Sequence, residues 1–202
     1  MNSELLFPVF VIALAASATP GPNNAMLASS GANFGFGQTI PHMIGVIIGF
    51  PVMVLIVGFS LGQVFETSPL LRDVIRWAGA ALLFWMAWKI ATSGGISTAD
   101  GRPRPMRVRE AAAFQWINPK GWSLVIALTA QFVTGHNSGI VIPVIAATFA
   151  VTGIIGSTLW AGFGTAMKRW LRSQTRIRWF NRAMAALIVV STMALVFGDL
   201  DV

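Results

Sequence analysis

The stretch Ala18-Thr19-Pro20-Gly21-Pro22-Asn23-Asn24 puts two prolines, a glycine and two amides inside an apolar run that otherwise extends over residues 5–30. A helix in hydrocarbon keeps its backbone hydrogen bonds internal. Broken backbone at membrane depth therefore persists only where it faces protein or a water-filled cavity. Discontinuous helices of that kind mark the binding sites of secondary transporters. The break thus restricts both the fold and the use to which it can be put.

The case for a membrane chain rests on composition. Of 202 residues, 55% are hydrophobic and 10% charged, with mean hydropathy +0.70, where a soluble domain carries roughly a quarter charged residues. Apolar runs at 5–30, 40–62, 74–91, 111–133, 139–166 and 179–198 are each near the roughly 20 residues that span a bilayer as helix. The expected fold class is an all-α integral membrane protein of six transmembrane helices, forming a single membrane domain over residues 1–202. Little chain is left for a soluble catalytic or nucleotide-binding domain. No glycine-rich phosphate loop ending in Lys-Ser/Thr occurs, so any energy is expected to come from a gradient. Cysteine is absent, which excludes disulfides, thiolate metal sites and cysteine nucleophiles. Tyrosine is absent as well, leaving the interfacial role to tryptophans such as Trp77, Trp88, Trp116, Trp122, Trp160, Trp170 and Trp179. Ala16-Ser17-Ala18 resembles a signal-peptide cleavage site, but the preceding segment carries Glu4 and no basic residue, the reverse of what such a signal needs.

A net charge of +7 invites a nucleic-acid reading, which the positions of the charges argue against. Arg102, Arg104, Arg107 and Arg109 fall in the stretch 93–110, and Lys168, Arg169, Arg172, Arg176, Arg178 and Arg182 around the link between the fifth and sixth runs. With six spans both stretches lie on one face. The other face offers Arg72 and Arg76 against Glu66 and Asp73, and the chain ends Asp199-Leu200-Asp201. The positive-inside rule then puts the basic loops in the cytoplasm and both termini outside. The chain divides into a three-helix half over 1–92, a basic cytoplasmic loop over 93–110 and a second three-helix half over 111–202. Halves with odd span numbers run in opposite directions, as in inverted-repeat transporters. Glycines at 45, 49, 58 and 62, and at 153, 156, 162 and 164, permit close helix packing. They equally permit a homodimer.

A second polar break, Trp116-Ile117-Asn118-Pro119-Lys120-Gly121, opens the fourth run. The first run points inward and Pro20 lies about 22 Å along it; the fourth points outward, with Asn118 near its cytoplasmic start. Both breaks, and His42 at the start of the second run, are therefore expected in one layer in the cytoplasmic third. Pro20 and Pro22 lack amide donors and Gly21 admits unusual backbone, which frees neighbouring carbonyls and amides. Asn23 and Asn24 add side-chain donors and acceptors, and the restarted helix presents N-terminal amides to a carboxylate. Lys120 is expected to pair with a carboxylate. Asn118 contacts the ligand or, alternatively, caps its helix, with Lys120 then reaching to the interface. His42 is the candidate proton carrier or else a structural residue; His136 reads as a solvated loop residue. No Asp or Glu lies deep in a run, which argues against a divalent-metal site and for a neutral or zwitterionic solute. No cofactor is implied.

The segment ATPGPNNAMLASSGANFGFGQTIPHMIGVIIGF resembles the N-terminal motif of the lysine-exporter (LysE/RhtB) family of amino-acid exporters. GAALLFWMAWKI in the third run, the basic central loop and WINPKGW in the fourth correspond to the same pattern. The resemblance implies a multi-pass transporter of the bacterial inner membrane. It would export amino acids or close derivatives, driven by the proton motive force, and would not be an enzyme. The family's Pro-Gly-Pro falls on Pro20, Gly21 and Pro22, and its Asn-Pro-Lys on Asn118, Pro119 and Lys120. Asn23 stands where many members carry an acid, which argues against cationic substrates. Gly37 and Gln38 stand where basic residues are common. The alternatives are an ion or metal channel or exporter, a structural membrane subunit, and a membrane-embedded enzyme for lipid head groups.

Overall fold

The computed structural model describes residues 3–61, 69–93, 104–133, 138–170 and 173–197, and all elements among them are helical. Helix α1 (Ser3–Ala18) is followed after the first break by α2 (Pro22–Phe34), and then by α3 (Phe36–Ile56), which closes in a π-helical turn, Val57–Leu61. Helix α4 (Pro69–Ser93) precedes α5 (Val108–Phe114), a 3-10 turn at Gln115–Ile117, and α6 (Pro119–Phe132). Two long helices, α7 (Ser138–Trp170) and α8 (Gln174–Phe197), complete the order. His136, Glu66, Arg102 and the C-terminal acids lie outside the described residues.

Local chemistry explains the boundaries. Pro22 and Pro119 each occupy the first turn of their helix, where a missing amide costs nothing and the fixed φ is already helical. Gly35 alone joins α2 to α3, at φ 91° and ψ 166°, a conformation essentially restricted to glycine. Thr39 Oγ1 lies 2.9 Å from both the Gly35 carbonyl and Ser30 Oγ, fixing this turn. The second half begins earlier than the apolar run suggests: α5 starts at Val108 rather than 111. Glu110 accounts for the difference. Its carboxylate accepts from the Arg107 amide at 2.9 Å and from both Arg104 guanidinium nitrogens at 2.8 and 2.7 Å.

The Arg104 hydrogen bonds hold the Glu110 pKa well below the usual carboxylate range, at about 2. A depressed pKa stabilises the folded state above the unfolded value of about 4 and loses that effect as pH falls toward the folded value. Both side chains are about one-third exposed, so solvent screening keeps the pair small. Glu110→Gln is expected to cost under about 1 kcal/mol at pH 7. The melting-temperature gap to wild type should close between pH about 4 and about 2.

Helices Phe36–Phe59 and Ser138–Met167 are long and apolar enough to cross a bilayer, and Leu6–Ala18 with Pro22–Phe34 form a third candidate bent by 51°. On α3 the residues Ile40, Ile44, Ile48, Val52 and Ile56 form an exposed stripe. The buried face of the same helix carries Thr39, His42, Val46, Gly49 and Met53. Similar exposed apolar faces run along α4, α7 and α8, including Trp77, Trp85, Trp88, Ile154, Leu159, Trp179 and Val190. Apolar exposure on that scale belongs against lipid rather than water.

Helix α7 packs along α1, α2 and α3, α5 packs on α3, and α4 on α8. Glycines permit these approaches. A Cβ at Gly164 would collide with the Ala28 carbonyl, at Gly31 with the Ala161 carbonyl, and at Gly45 with the Val108 carbonyl. Among the apolar clusters that result, two are large. One joins Val9 and Ala13 of α1 to Met53, Trp122, Val125, Ile145 and Phe149; the other joins Ala25 and Met26 of α2 to Val46, Leu83, Ile90, Phe114 and Ile188. The two helix breaks lie between them.

Candidate functional site

The two breaks meet. Lys120 Nζ, from the first turn of α6, donates to the carbonyls of Ala16 and Thr19, both at 3.2 Å. Its aliphatic stem lies over Gly21, whose added Cβ would sit 3.2 Å from Lys120 Cδ. Asn24 reaches back across the first break, and its Nδ2 donates to the Ser17 and Thr19 carbonyls at 2.9 and 2.8 Å. The carbonyls left over at the end of α1 are thus satisfied by side chains from beyond each break, as buried backbone requires.

Asn118 does not cap α6 with its side chain. Its backbone carbonyl accepts from the Gly121 amide at 2.9 Å and the Trp122 amide at 3.3 Å. That leaves the side chain free for other use: Asn118 Oδ1 and Asn23 Oδ1 are both buried without a hydrogen-bond partner. Native structures rarely leave such atoms unpaired, because each forfeits its hydration. The capping reading of Asn118 is therefore corrected. The Lys120 ammonium is engaged by the carbonyls at the end of α1.

A cavity of about 80 Å³ occupies the junction, its wall including Gly21, Asn23, Asn24, Asn118 and Lys120. Pro20, Pro22 and Pro119 shape the breaks without lining it. His42 also lies outside its wall, one helical turn before the lining residue Val46; it is fully buried, and neither ring nitrogen has a hydrogen-bond partner. The first break divides its span into halves of 16 and 13 residues, or about 24 and 20 Å. Helix α2 continues to Phe34, beyond the end of the apolar run at residue 30.

The arrangement has a definite polarity. First-turn amides of α2 and α6 and the Lys120 ammonium favour an anionic group. The two unpaired amide oxygens favour a donor such as an ammonium. Among the described residues no carboxylate lines the cavity, and no group of three His, Cys, Asp or Glu is placed to hold a metal. Sequence reasoning missed Ser17, Phe50, Gln115, Leu124, Phe149, Gly153, Gly156 and Ser157. Gln115 had a signal, as a lone amide in an apolar stretch, and so did the glycines around Ser157; the phenylalanines had none.

The profile of the LysE type translocator family matches residues 14–198. A cysteine/O-acetylserine efflux protein of Salmonella choleraesuis is 31% identical over 194 residues, covering 94% of this chain and 96% of the relative. Relatives with the same name in Escherichia coli K12 and Shigella sonnei are 30% identical over the same proportions. No solved structure matches the chain.

Proposed function

The chain belongs to the LysE type translocator family, a family of transporters and not of enzymes, and on that premise we propose that it exports small neutral amino acids or close derivatives from the cytoplasm. The observation that carries the reading is the convergence of two broken helices on a cavity that offers one ammonium and two unpaired amide oxygens. A zwitterion matches that set: its carboxylate takes Lys120 and the helix amides, and its ammonium takes Asn23 Oδ1 and Asn118 Oδ1. A second positive charge on the solute would find no carboxylate in the wall. Cysteine and O-acetylserine, for which the relatives are named, are small neutral zwitterions of this kind.

The reading takes the protein as a multi-pass inner-membrane protein of six spans with both termini outside. The pairing of helices supports inverted halves. If α1–α2 corresponds to α5–α6, α3 to α7 and α4 to α8, then packing of α1 on α7 corresponds to that of α5 on α3, while the extensive packing of α2 on α7 has no counterpart of similar extent between α6 and α3. The α3–α7 and α4–α8 contacts map onto themselves. Alternating access follows if the apolar clusters on either side of the cavity open in turn. The proton gradient is the proposed driving force. His42 is the proposed proton carrier, being the buried titratable group next to a wall that holds no carboxylate.

Proteoliposomes loaded with labelled small amino acids test this. Efflux should follow an imposed proton gradient and stop when the gradient is collapsed, and His42→Gln should remove the dependence on it. Absence of amino-acid efflux from demonstrably folded protein would sink the reading.

A further inference from the structure

The cavity has two kinds of lining. The breaks supply the polar groups; α3 and α7 supply an apolar wall through Val46, Phe50, Phe149 and Gly153, with Leu124 of α6. The Phe50 and Phe149 rings stand 4.8 Å apart at 57°, a tilted aromatic contact, and Phe149 is buried. The polar groups nearest this wall are already committed: Ser157 Oγ donates to the Gly153 carbonyl at 2.6 Å and Gln115 Nε2 to the Ala111 carbonyl at 2.9 Å.

The glycines of the bundle fall into two sorts. At Gly31, Gly45, Gly49, Gly58, Gly79, Gly156 and Gly164 an added Cβ would come within 3.0 Å of a neighbouring helix or turn, so packing favours the missing side chain. Gly153 is different. Its nearest neighbours would be Cα and Cγ1 of Ile47, both at 3.9 Å, an ordinary contact. Packing does not demand glycine there, and glycine inside a helix costs about 1 kcal/mol relative to alanine. Gly153 also lines the cavity, so glycine there leaves that part of the wall without a side chain.

We propose that Gly153, Phe149 and Phe50 form the subsite for the side chain of the transported amino acid, with Gly153 setting the largest side chain admitted. The inference rests on the reading that this cavity carries an amino acid. With carboxylate and ammonium engaged by the polar groups, the remaining substituent on the substrate's α-carbon is directed to the wall those residues build. That wall carries no charge.

The test compares initial efflux of alanine, serine, valine, leucine and methionine from proteoliposomes of wild type, Gly153→Ala and Phe149→Ala. One methylene in an apolar pocket is worth about tenfold or more in discrimination. Gly153→Ala should therefore lower valine relative to alanine by about tenfold. Phe149→Ala should raise leucine and methionine relative to alanine by a similar factor. Gly153→Ala introduces no clash and removes a helix-weakening glycine, so it keeps the test decisive even if Phe149→Ala fails to fold. Unchanged side-chain ratios in Gly153→Ala, with wild type exporting normally, overturn the subsite and leave the exporter reading standing. No amino-acid efflux from wild type overturns both.

Discussion

Lys120→Met is expected to reduce amino-acid efflux by about a hundredfold or more while the protein still folds. The methionine keeps an unbranched apolar stem over Gly21, so the contact between the breaks survives sterically. What disappears is the charge. The Thr19 carbonyl retains Asn24 as a donor and only the Ala16 carbonyl loses its recorded side-chain partner. The stability cost should accordingly be about 1–3 kcal/mol, that of one unsatisfied buried acceptor. The transport cost should be larger because, in the proposed site, the substrate carboxylate loses Lys120, the one cation that the described residues place in the wall. Removing one member of a desolvated charge pair costs about 2–5 kcal/mol. Lys120→Arg retains charge, but its planar fork does not reproduce a point ammonium shared between two carbonyls, so only partial recovery is expected. Transport by Lys120→Met at the wild-type rate would remove Lys120 from the site.

Gly164→Val should have the largest effect on folding. Helices α2 and α7 approach so closely that even a Cβ at position 164 would overlap the Ala28 carbonyl, and Gly31 on α2 makes the reciprocal approach to Ala161. Neither helix backbone can yield without moving the bundle. The cost is about 3 kcal/mol or more, at the upper end of overpacking effects. A sharp control lies two residues away. A Cβ at Gly162 would meet nothing within 4 Å, so Gly162→Ala should be neutral or stabilise by up to about 1 kcal/mol through helix propensity. The comparison is read from the yield of monodisperse protein in detergent and its melting temperature. Equal behaviour of the two variants would contradict the packing described for α2 and α7.

How much of this was legible in the sequence depends on the physical origin of each feature. The breaks were visible because proline and glycine act locally: Pro22 and Pro119 begin helices wherever the rest of the chain lies. Their convergence was approachable through topology, since basic loops orient the spans and residue counts give depth. The end of the second helix was less legible: hydropathy ended the first run near residue 30, whereas α2 continues through Asn33. That asparagine is held by Asn181 of α8, with Asn33 Nδ2 2.9 Å from Asn181 Oδ1, a pairing between distant parts of the chain that no local pattern reveals. The same limit hid Phe50 and Phe149. Each is one apolar residue among many in its helix, and only the crossing of α3 and α7 brings the rings together. The glycines of α7 were visible as a group, but sorting Gly164, which serves packing, from Gly153, which leaves space, requires knowing what stands opposite each.

The central claim is that the two breaks form one amino-acid site, and the absence of native cysteine permits a direct measurement. Ala16→Cys places a thiol on the cavity wall from α1, and Leu124→Cys places one from α6. Maleimide labelling of each variant is followed in proteoliposomes with increasing L-alanine or L-serine. If the account holds, the same amino acid protects both thiols with the same half-maximal concentration, and Lys120→Met abolishes protection at both. Protection of one thiol alone, or of neither by any small amino acid while the protein remains folded, would contradict a shared site.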